Sequence, residues 1–253
     1  GQAHSSRLKA GKQLKPWICA MADCTIQFEN VSLSLNARKL LNGVSLDIQE
    51  QRVGVIGRNG SGKTSFARLL SGLLAPSSGR VRVNGNDLFK HRAAALKTVG
   101  ILFQNPDHQI IFPTVLEELS FGLTQQGQRK AEAMQNATKI LQQFDRLDWA
   151  ERTIATLSQG QRHLVCLLSV LAMAPPLLVL DEPFAGLDLP TKTYLQNLLY
   201  GLDQSVLHIT HDLQALAEYE RVIWLEKGQV VGDGLPKHII PNFENAMAQI
   251  EQI

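Results

Sequence analysis

Cysteine is scarce in this sequence. The 253 residues include only Cys19, Cys24 and Cys166, and their spacing matches no metal-binding pattern. A small and odd number of cysteines is unusual for a secreted protein that is held together by disulfides. We therefore exclude a disulfide scaffold and expect a protein of a reducing compartment such as the cytoplasm.

Long apolar runs are also lacking. A membrane-spanning helix needs about 20 consecutive apolar residues, and the nearest approach, residues 164–180, is interrupted by Pro175 and Pro176. Because these prolines cannot continue a helix, the segment is predicted to form a helix followed by a strand. We expect a protein that is soluble or that reaches a membrane through a partner.

The net charge is small as well. The chain carries a formal charge of +2, but residues 1–20 contain four basic residues and no acidic one. Without these four, 21 basic residues stand against 23 acidic ones, a net charge of −2. A nearly neutral body argues against a broad nucleic-acid-binding surface, so we expect no nucleic-acid partner.

Residues 1–20 form a leader that lacks the apolar segment of a signal peptide. Met21 has the position of a natural start, and we interpret the leader as derived from the expression vector. The alternative is a basic arm that contacts anionic lipid.

The first strands are predicted to be antiparallel. Residues 25–50 alternate apolar and polar side chains, which is typical of strands with one buried face, and Asn42-Gly43 is predicted to separate two of them. Residues 81–88 add a predicted hairpin with an Asn-Gly turn.

Four short runs of β-branched and leucine residues are each typical of a strand buried on both faces. They are residues 53–57, 99–103, 177–181 and 206–210. The predicted helices between them are residues 64–74, a long segment from Thr114 to about Val170, and residues 192–202. Strands that alternate with helices indicate an α/β fold with mainly parallel pairing. A hairpin over residues 222–234 and a polar helical end are predicted to follow.

Each of the four strands ends at residues that can do chemistry. In chain order these are a glycine-rich loop, Gln104, the pair Asp181-Glu182, and the pair Thr210-His211. Ligands bind beyond the carboxyl ends of the strands in open α/β sheets. We therefore expect the four strand ends to meet at one site.

The glycine-rich loop has the sequence GRNGSGKT and matches the phosphate-binding pattern G-x-x-x-x-G-K-[ST] at every position. Glycines let backbone N–H groups approach an anion, and the helix that begins near Lys63 adds its positive end. Lys63 is expected to reach the β- and γ-phosphates, and the Thr64 hydroxyl to bind Mg²⁺. The alternative is a glycine-rich turn without a ligand, which explains the complete match poorly. The loop residues are Gly57, Arg58, Asn59, Gly60, Ser61, Gly62, Lys63 and Thr64.

Asp181 and Glu182 supply acidic groups. Mg²⁺ prefers hard oxygen ligands, so Asp181 is expected to bind the ion directly or through water. Glu182 would then polarise the water that attacks the γ-phosphate. The alternative is a solvated acidic pair at a strand end, and the complete match of the phosphate loop argues against it. Gln104 could bridge Mg²⁺ and the attacking water, and His211 could hydrogen-bond the γ-phosphate.

The stretch LSQGQ, residues 157–161, precedes a long apolar helix. Ser158 is a candidate N-cap, and the start of this helix would suit an anion. Capping alone is the alternative, and local physics does not separate the two interpretations.

Together these segments resemble the nucleotide-binding subunit of an ATP-binding cassette (ABC) transporter over residues 23–235. The resemblance implies a P-loop NTPase core of the RecA type with a mainly parallel sheet, an N-terminal antiparallel β-subdomain and a helical signature subdomain at about residues 106–172. It places the ABC domain at residues 21–240 and leaves residues 241–253 as a tail. It also implies ATP and Mg²⁺ as cofactors and hydrolysis of ATP to ADP and phosphate.

The same resemblance implies a role for each motif. Residues 57–64 resemble the Walker A loop, which Ser65 extends, and LLVLDE resembles Walker B with Glu182 as the catalytic base. Gln104 is similar to the Q-loop glutamine, which would bind Mg²⁺ together with Thr64 and Asp181. His211 is similar to the switch histidine, and Asp188 to the acid of the D-loop.

Residues 158–161 resemble the family's signature motif, which closes over the ATP bound by a second subunit. Gln159 replaces the usual glycine, whereas Ser158, Gly160 and Gln161 match the motif, so function is expected to survive. A second departure concerns adenine: Leu35 stands where an aromatic residue usually stacks on the base. We expect weaker stacking there, with Arg38 contributing to the ATP site.

Residues 105–122 read NPDHQIIFPTVLEELSFG and resemble a segment of the ATPases of energy-coupling factor (ECF) importers, which take up vitamins and transition-metal ions. In that group this surface grips coupling helices of a transmembrane subunit. The alternative is an ordinary loop and helix start. The resemblance implies an importer ATPase at the cytoplasmic face of the cell membrane, with biotin as the favoured cargo and cobalt or nickel as the alternative.

A single cassette per chain implies a second copy, so a homodimer is expected, with a heterodimer with a related ATPase as the alternative. The expected membrane partners are a transmembrane coupling subunit and, indirectly, a substrate-binding subunit. An ABC ATPase that acts on DNA or ribosomes is a weaker hypothesis, because only 52 residues separate Gln104 from Leu157. A P-loop kinase or GTPase would leave Gln104, LSQGQ and His211 unexplained.

Overall fold

The computed structural model describes residues 24–90 and 97–250. The expected leader, the proposed start at Met21 and the last three residues of the expected tail lie outside the described residues. The described strands are β1 (Ile26–Leu35), β2 (Arg38–Ile48), β3 (Arg52–Ile56), β4 (Ser78–Val83), β5 (Asn86–Asp87), β6 (Val99–Leu102), β7 (Leu177–Asp181), β8 (Ser205–Ile209), β9 (Arg221–Glu226) and β10 (Gln229–Gly234). The described α-helices are α1 (Lys63–Leu70), α2 (Val115–Gln125), α3 (Lys130–Gln143), α4 (Gln159–Ala172), α5 (Leu189–Tyr200) and α6 (Pro236–Ile250).

The larger sheet has the strand order β10-β9-β3-β8-β7-β6. Its pairs are parallel except for the hairpin of β9 and β10, which is antiparallel. The prediction of an α/β core with a mainly parallel sheet is therefore confirmed. Each of the four predicted buried strands is present within one residue of its expected start.

The smaller sheet is antiparallel, with the order β2-β1-β4-β5, and forms the expected N-terminal β-subdomain. The prediction of a strand break at Asn42-Gly43 is wrong. The chain turns at Asn36 and Ala37, which both have positive φ angles, and β2 continues past Gly43. The register shifts between β1 and β2 show why: the region of Gly43 is an irregularity within a paired strand rather than a turn.

The other Asn-Gly pair forms the predicted hairpin. Asn84 (φ 51°) and Gly85 (φ 75°) connect β4 to β5. Two successive positive φ angles are typical of the tight turn that matches the twist of the flanking strands.

Helix boundaries differ from the predictions where caps decide them. The predicted helix 64–74 ends at Leu70, and Gly72 follows with a φ of 70°. The long segment after Thr114 divides into α2, α3 and α4, and Thr114 caps α2 by accepting a hydrogen bond from the Glu117 N–H. Helix α5 begins three residues before the predicted start, because Asp188 caps it and Pro190 lies in its first turn.

The core lies on both faces of the larger sheet. Leu178 and Leu180 of β7 pack into the cluster that holds the helical subdomain, α2 to α4, against the sheet. Leu177 and Val179 of the same strand pack into the cluster between the two sheets and α1. This alternation explains why the strand sequence is apolar throughout. Within the described ranges, no helix combines the length and apolar character that crossing a bilayer requires.

Candidate active site

A cleft of about 700 Å³ opens at the carboxyl ends of the parallel strands. The loop after β3 and the residues after β6, β7 and β8 all contribute to its lining, so the predicted convergence of four strand ends is present. The predicted site residues that line the cleft are Arg38, Asn59, Gly60, Gly62, Lys63, Thr64, Ser65, Gln104, Asp181, Glu182 and His211.

The backbone of the phosphate loop packs closely against the β9–β10 hairpin. A Cβ atom on Gly57 would lie 2.2 Å from the carbonyl oxygen of Leu225, and the φ of Gly57 is 152°. The Gly228 N–H donates to the Ser61 carbonyl at 2.9 Å. Gly62, with a φ of 110°, is the N-cap residue of α1. The loop therefore presents main chain rather than side chains at the start of a helix, which is the arrangement that binds phosphate.

Lys63 lies at the centre of this loop and is 7% exposed. Its ammonium group donates to the carbonyl oxygens of Gly57 at 2.7 Å and Arg58 at 3.0 Å. Burial lowers the pKa of Lys63, and the charges of Glu182 and Asp181 oppose that shift. The group is thus positioned to exchange carbonyl partners for phosphate oxygens.

Thr64 and Asp181 form the candidate Mg²⁺ site. Asp181 ends β7 and is 6% exposed. Burial raises the pKa of Asp181, while its hydrogen bond with the Thr64 side chain and the charges of Lys63 and Arg68 act against the shift. A buried carboxylate beside a hydroxyl supplies the hard oxygen ligands that Mg²⁺ prefers, so these residues fit the ion.

Glu182 has an unusual backbone and an unusual carboxylate. Its φ is 50°, in the left-handed region, and its N–H donates to the Ile209 carbonyl at 2.9 Å. Its Oε2 accepts a hydrogen bond from the His211 N–H at 3.2 Å, and the His211 Nε2 lies 3.2 Å from Oε1. Oε1 is buried against the His211 ring. Burial raises the pKa of Glu182, and His211 opposes that rise.

Such a carboxylate suits a general base. Burial raises its pKa, which favours uptake of a proton from a water in the cleft. His211 is held against it through both main chain and ring.

Gln104 is exposed at the end of β6 and lines the cleft. The loop after it folds back, because the Gln109 side chain accepts from the Phe103 N–H at 3.3 Å and donates to the Ile101 carbonyl at 3.2 Å. Asn105 then caps a short 3-10 helix, Pro106–His108. Gln104 therefore lies at the start of a closed loop, with its side chain exposed.

The signature residues lie elsewhere. Ser158 is the N-cap of α4 in a capping box: its hydroxyl accepts from the Gln161 N–H at 3.2 Å, and its own N–H donates to the Gln161 side chain at 2.9 Å. Ser158 and Gln159 are exposed. Among the described residues that line the cleft, none belongs to residues 158–161. The cleft and the signature are thus separate surfaces of one chain.

Gly160 and Asp188 connect the signature to the D-loop. A Cβ atom on Gly160 would lie 2.5 Å from Cγ2 of Thr191, so only glycine fits there without displacement. Asp188 caps α5 by accepting from the Thr191 N–H at 2.9 Å, and its hydrogen bonds to Thr191 lower the pKa of Asp188. The starts of α4 and α5 therefore pack together.

The candidate adenine contacts lie on the β1–β2 hairpin. Leu35 is 44% exposed and pairs in register with Arg38, which lines the cleft. Leu40 also lines the cleft. An exposed aliphatic side chain and a guanidinium are thus available beside the cleft.

Several cleft residues were not predicted from the sequence. Lys192 and Asp212 form an ion pair at the cleft, and Asp212 directly follows His211. His208 also lines the cleft but is buried, and its Nδ1 lies 3.0 Å from the Tyr219 hydroxyl. The position of Asp212 beside His211 is the one signal that could have indicated such a role.

The segment 105–122 presents an apolar residue at the surface. Ile111 is 67% exposed. The buried Glu118 carboxylate accepts from the N–H groups of Ile111 and Phe112, both at 2.9 Å. The Phe112 and Phe121 rings lie 5.0 Å apart. A buried acid therefore fixes the loop that exposes Ile111.

A phosphate loop before α1, acidic residues after β7 and a glutamine and histidine on neighbouring strands define a P-loop ATPase. Residues 41–185 match the family model described as "ABC transporter". The chain belongs to the ABC transporter family, and it is an ABC-type ATPase.

The similar proteins agree with this assignment. A biotin transport ATP-binding protein of Rhodobacter capsulatus is 46% identical over 88% of this chain and 95% of its own length. An energy-coupling factor transporter ATP-binding protein of Enterococcus faecalis is 33% identical over 85% of this chain and 80% of its own length. The structure of cbiO1 from Clostridium perfringens, part of the cbiONQ transporter complex, has a TM-score of 0.76 at 25% identity and covers 92% of this chain and all of that chain.

Proposed function

We propose that this chain is the ATPase subunit of an ECF-type importer and that two copies enclose two ATP molecules. One observation carries the proposal. The cleft holds the phosphate loop and the candidate base, whereas the exposed Ser158 lies outside it at the start of a different helix. A signature that faces away from its own cleft can complete the cleft of a second copy.

The residues of the cleft have distinct roles in this proposal. The phosphate-loop N–H groups and Lys63 bind the β- and γ-phosphates and neutralise their charge. Glu182 accepts the proton of the water that attacks the γ-phosphate, and His211 holds the Glu182 carboxylate in place. The partner's signature helix would close the site against water with its positive N-terminal end.

Mg²⁺ would be held by Thr64, Asp181 and Gln104. When bound, the ion neutralises charge on the phosphate oxygens. The oxygens that would hold it lie in the loop just after β6, at the end of β7 and in the first turn of α1. Gln104 is the exposed member of the three, and it is therefore the one free to engage and release.

The importer assignment rests on residues 105–122 and on the relatives. Ile111 is presented at the surface by a loop that directly follows Gln104, so it is suited to docking a membrane subunit at the cytoplasmic face of the membrane. The name of the 46% identical relative favours biotin over cobalt or nickel as the cargo. The cargo itself would contact a membrane subunit rather than this chain.

The Glu182→Gln variant tests the ATPase part. Loss of a general base typically costs a factor of about 10² to 10⁴ in rate, so phosphate release should almost stop while ATP remains bound. Light scattering should then show an ATP-dependent dimer that persists. The matched control is Glu151→Gln at an exposed glutamate, which should hydrolyse ATP like the parent.

Two results would contradict the proposal. One is turnover at the parent rate in Glu182→Gln, which would remove the assigned base. The other is a single chain throughout turnover, which would remove the composite site. Purification from membranes together with a transmembrane subunit, and loss of that subunit in an Ile111→Glu variant, tests the importer part separately.

A further inference from the structure

His163 is a buried histidine that no motif explains. It lies in the second turn of α4, five residues after Ser158, and is 0% exposed. Its Nε2 lies 3.2 Å from the main-chain oxygen of Gln104, and its Nδ1 lies 3.0 Å from the main-chain oxygen of Gln159. The ring therefore bridges the Q-loop and the signature.

The neighbours of His163 on α4 contact the same loop. The Arg162 Nε lies 2.9 Å from the Asp107 carboxylate, and the Cys166 thiol lies 3.9 Å from the Pro106 carbonyl oxygen. Three side chains on the start of one helix thus contact three of the four residues from Gln104 to Asp107. Such a set of contacts joins the loop and the helix start into one body.

The central contact is a link between main chains. A neutral imidazole has one N–H and can donate to only one of the two carbonyls at a time, whereas an imidazolium can donate to both. The ring is fully buried, so it excludes water from this contact, and a carbonyl that loses the ring N–H loses a donor. Removing the ring should therefore loosen the loop from the helix rather than let solvent replace the bond.

The two ends of the link serve different nucleotides if the proposed function is correct. Gln104 lines the cleft of its own chain. Ser158 is exposed outside that cleft and would contact the ATP of the partner. A movement of Gln104 when it engages one nucleotide would then be transmitted through α4 to the residue that closes over the other.

We propose that His163 is a positioning residue that couples the two composite ATP sites of the dimer. The inference rests on the proposed function, since a single chain has no second site to couple. It predicts positive cooperativity in ATP hydrolysis, with a Hill coefficient between one and the two sites available. It also predicts that this cooperativity depends on the buried link.

The test compares His163→Leu with His163→Gln. Leucine fills the volume but has no donor, whereas the glutamine amide has two N–H groups and can restore the link. The expected result is a Hill coefficient that falls towards one and a lower kcat in His163→Leu, with the parent values largely restored in His163→Gln. ATP binding to the dilute, Mg²⁺-free chain should be unchanged, because His163 does not line the cleft. His238→Leu, at an exposed histidine on α6, is the control and should behave like the parent.

The outcomes separate the two proposals. If the parent forms no ATP-dependent dimer in the Glu182→Gln background, the proposed function fails and the coupling fails with it. If the dimer forms but the parent is not cooperative, or His163→Leu keeps the parent Hill coefficient and kcat, only the coupling is overturned. Should His163→Leu not fold, His163→Met, which also fills the volume without an N–H donor, takes its place, and a parent Hill coefficient and kcat in that variant overturn the coupling.

Discussion

His208 makes the stability of this protein depend on pH in a direction that can be calculated. The side chain is buried in β8, its Nδ1 contacts the Tyr219 hydroxyl, and its Nε2 is buried without a partner among the described residues. Burial lowers the pKa of His208 to about 4, from an ordinary value of 6.5. A buried neutral imidazole thus stays unprotonated in the folded state while the unfolded chain takes up a proton.

The sign follows from linkage. Below pH 6.5 the unfolded state binds more protons at this position, so the free energy of unfolding falls as the pH falls from about 6.5 to about 4. With these two pKa values the loss is about 2 kcal/mol at pH 5 and about 3 kcal/mol once the pH is below 4. Asp181 and Glu182, whose pKa values are raised by burial, act in the opposite direction, because the folded state holds their protons more tightly.

A comparison with a variant isolates the histidine. His208→Gln keeps a hydrogen-bonding partner for Tyr219 but does not titrate, and it leaves Asp181 and Glu182 in place. Urea unfolding at pH 7.5 and pH 5 should show the parent losing about 2 kcal/mol more than the variant between the two pH values. His238→Gln, at an exposed histidine, is the control and should show the same loss as the parent. Equal losses in parent and His208→Gln would refute the reasoning.

Two further variants test the phosphate loop and the signature. Gly57→Ala should lose several kcal/mol of unfolding free energy in urea titrations, or fail to fold, because its Cβ would lie 2.2 Å from a backbone oxygen. Gly127→Ala is also at positive φ but has nothing within 4 Å, so its free energy of unfolding should fall by only about 1 kcal/mol. A similar loss in both would show that backbone strain, and not the contact, sets the cost. Ser158→Asp keeps an N-cap of equal quality, so the urea midpoint should stay unchanged while ATPase activity falls by a factor of about 10 or more through repulsion of the partner's ATP. Full activity in that variant would favour capping alone.

The strand ends and the phosphate loop were predictable because each depends on local chemistry. Val53 to Gly57 read as a buried strand that enters glycines, and the parallel order placed Gln104, Asp181 and His211 at the same edge without knowledge of any contact. The hairpin at Asn84-Gly85 was predictable for the same reason, since its turn requires positive φ at both residues.

The rest depends on contacts between distant segments. Asn42-Gly43 has the same residues as a true turn, yet pairing with β1 extends β2 through it, and the turn occurs at Asn36 instead. His163 gave no sequence signal, because its two carbonyl partners come from a loop 59 residues away and from its own helix. The pairing of Lys192 with Asp212 likewise joins a helix and a loop that only the folded sheet brings together.

Glutamate at position 182 of the cleft is unfavourable for the stability of the fold, so its presence is better explained by the chemistry of the site. A non-glycine residue in the left-handed region costs about 1–2 kcal/mol, and its φ is 50°. Burial of the carboxylate, which raises its pKa, adds a desolvation cost at the same residue. Glycine would relieve the first cost and a smaller polar residue the second, so neither backbone geometry nor packing favours glutamate here. The hydrogen bond from the Glu182 N–H to Ile209 fixes this backbone, and the fixed backbone places the carboxylate beside His211 in the cleft, as the proposed role of general base requires.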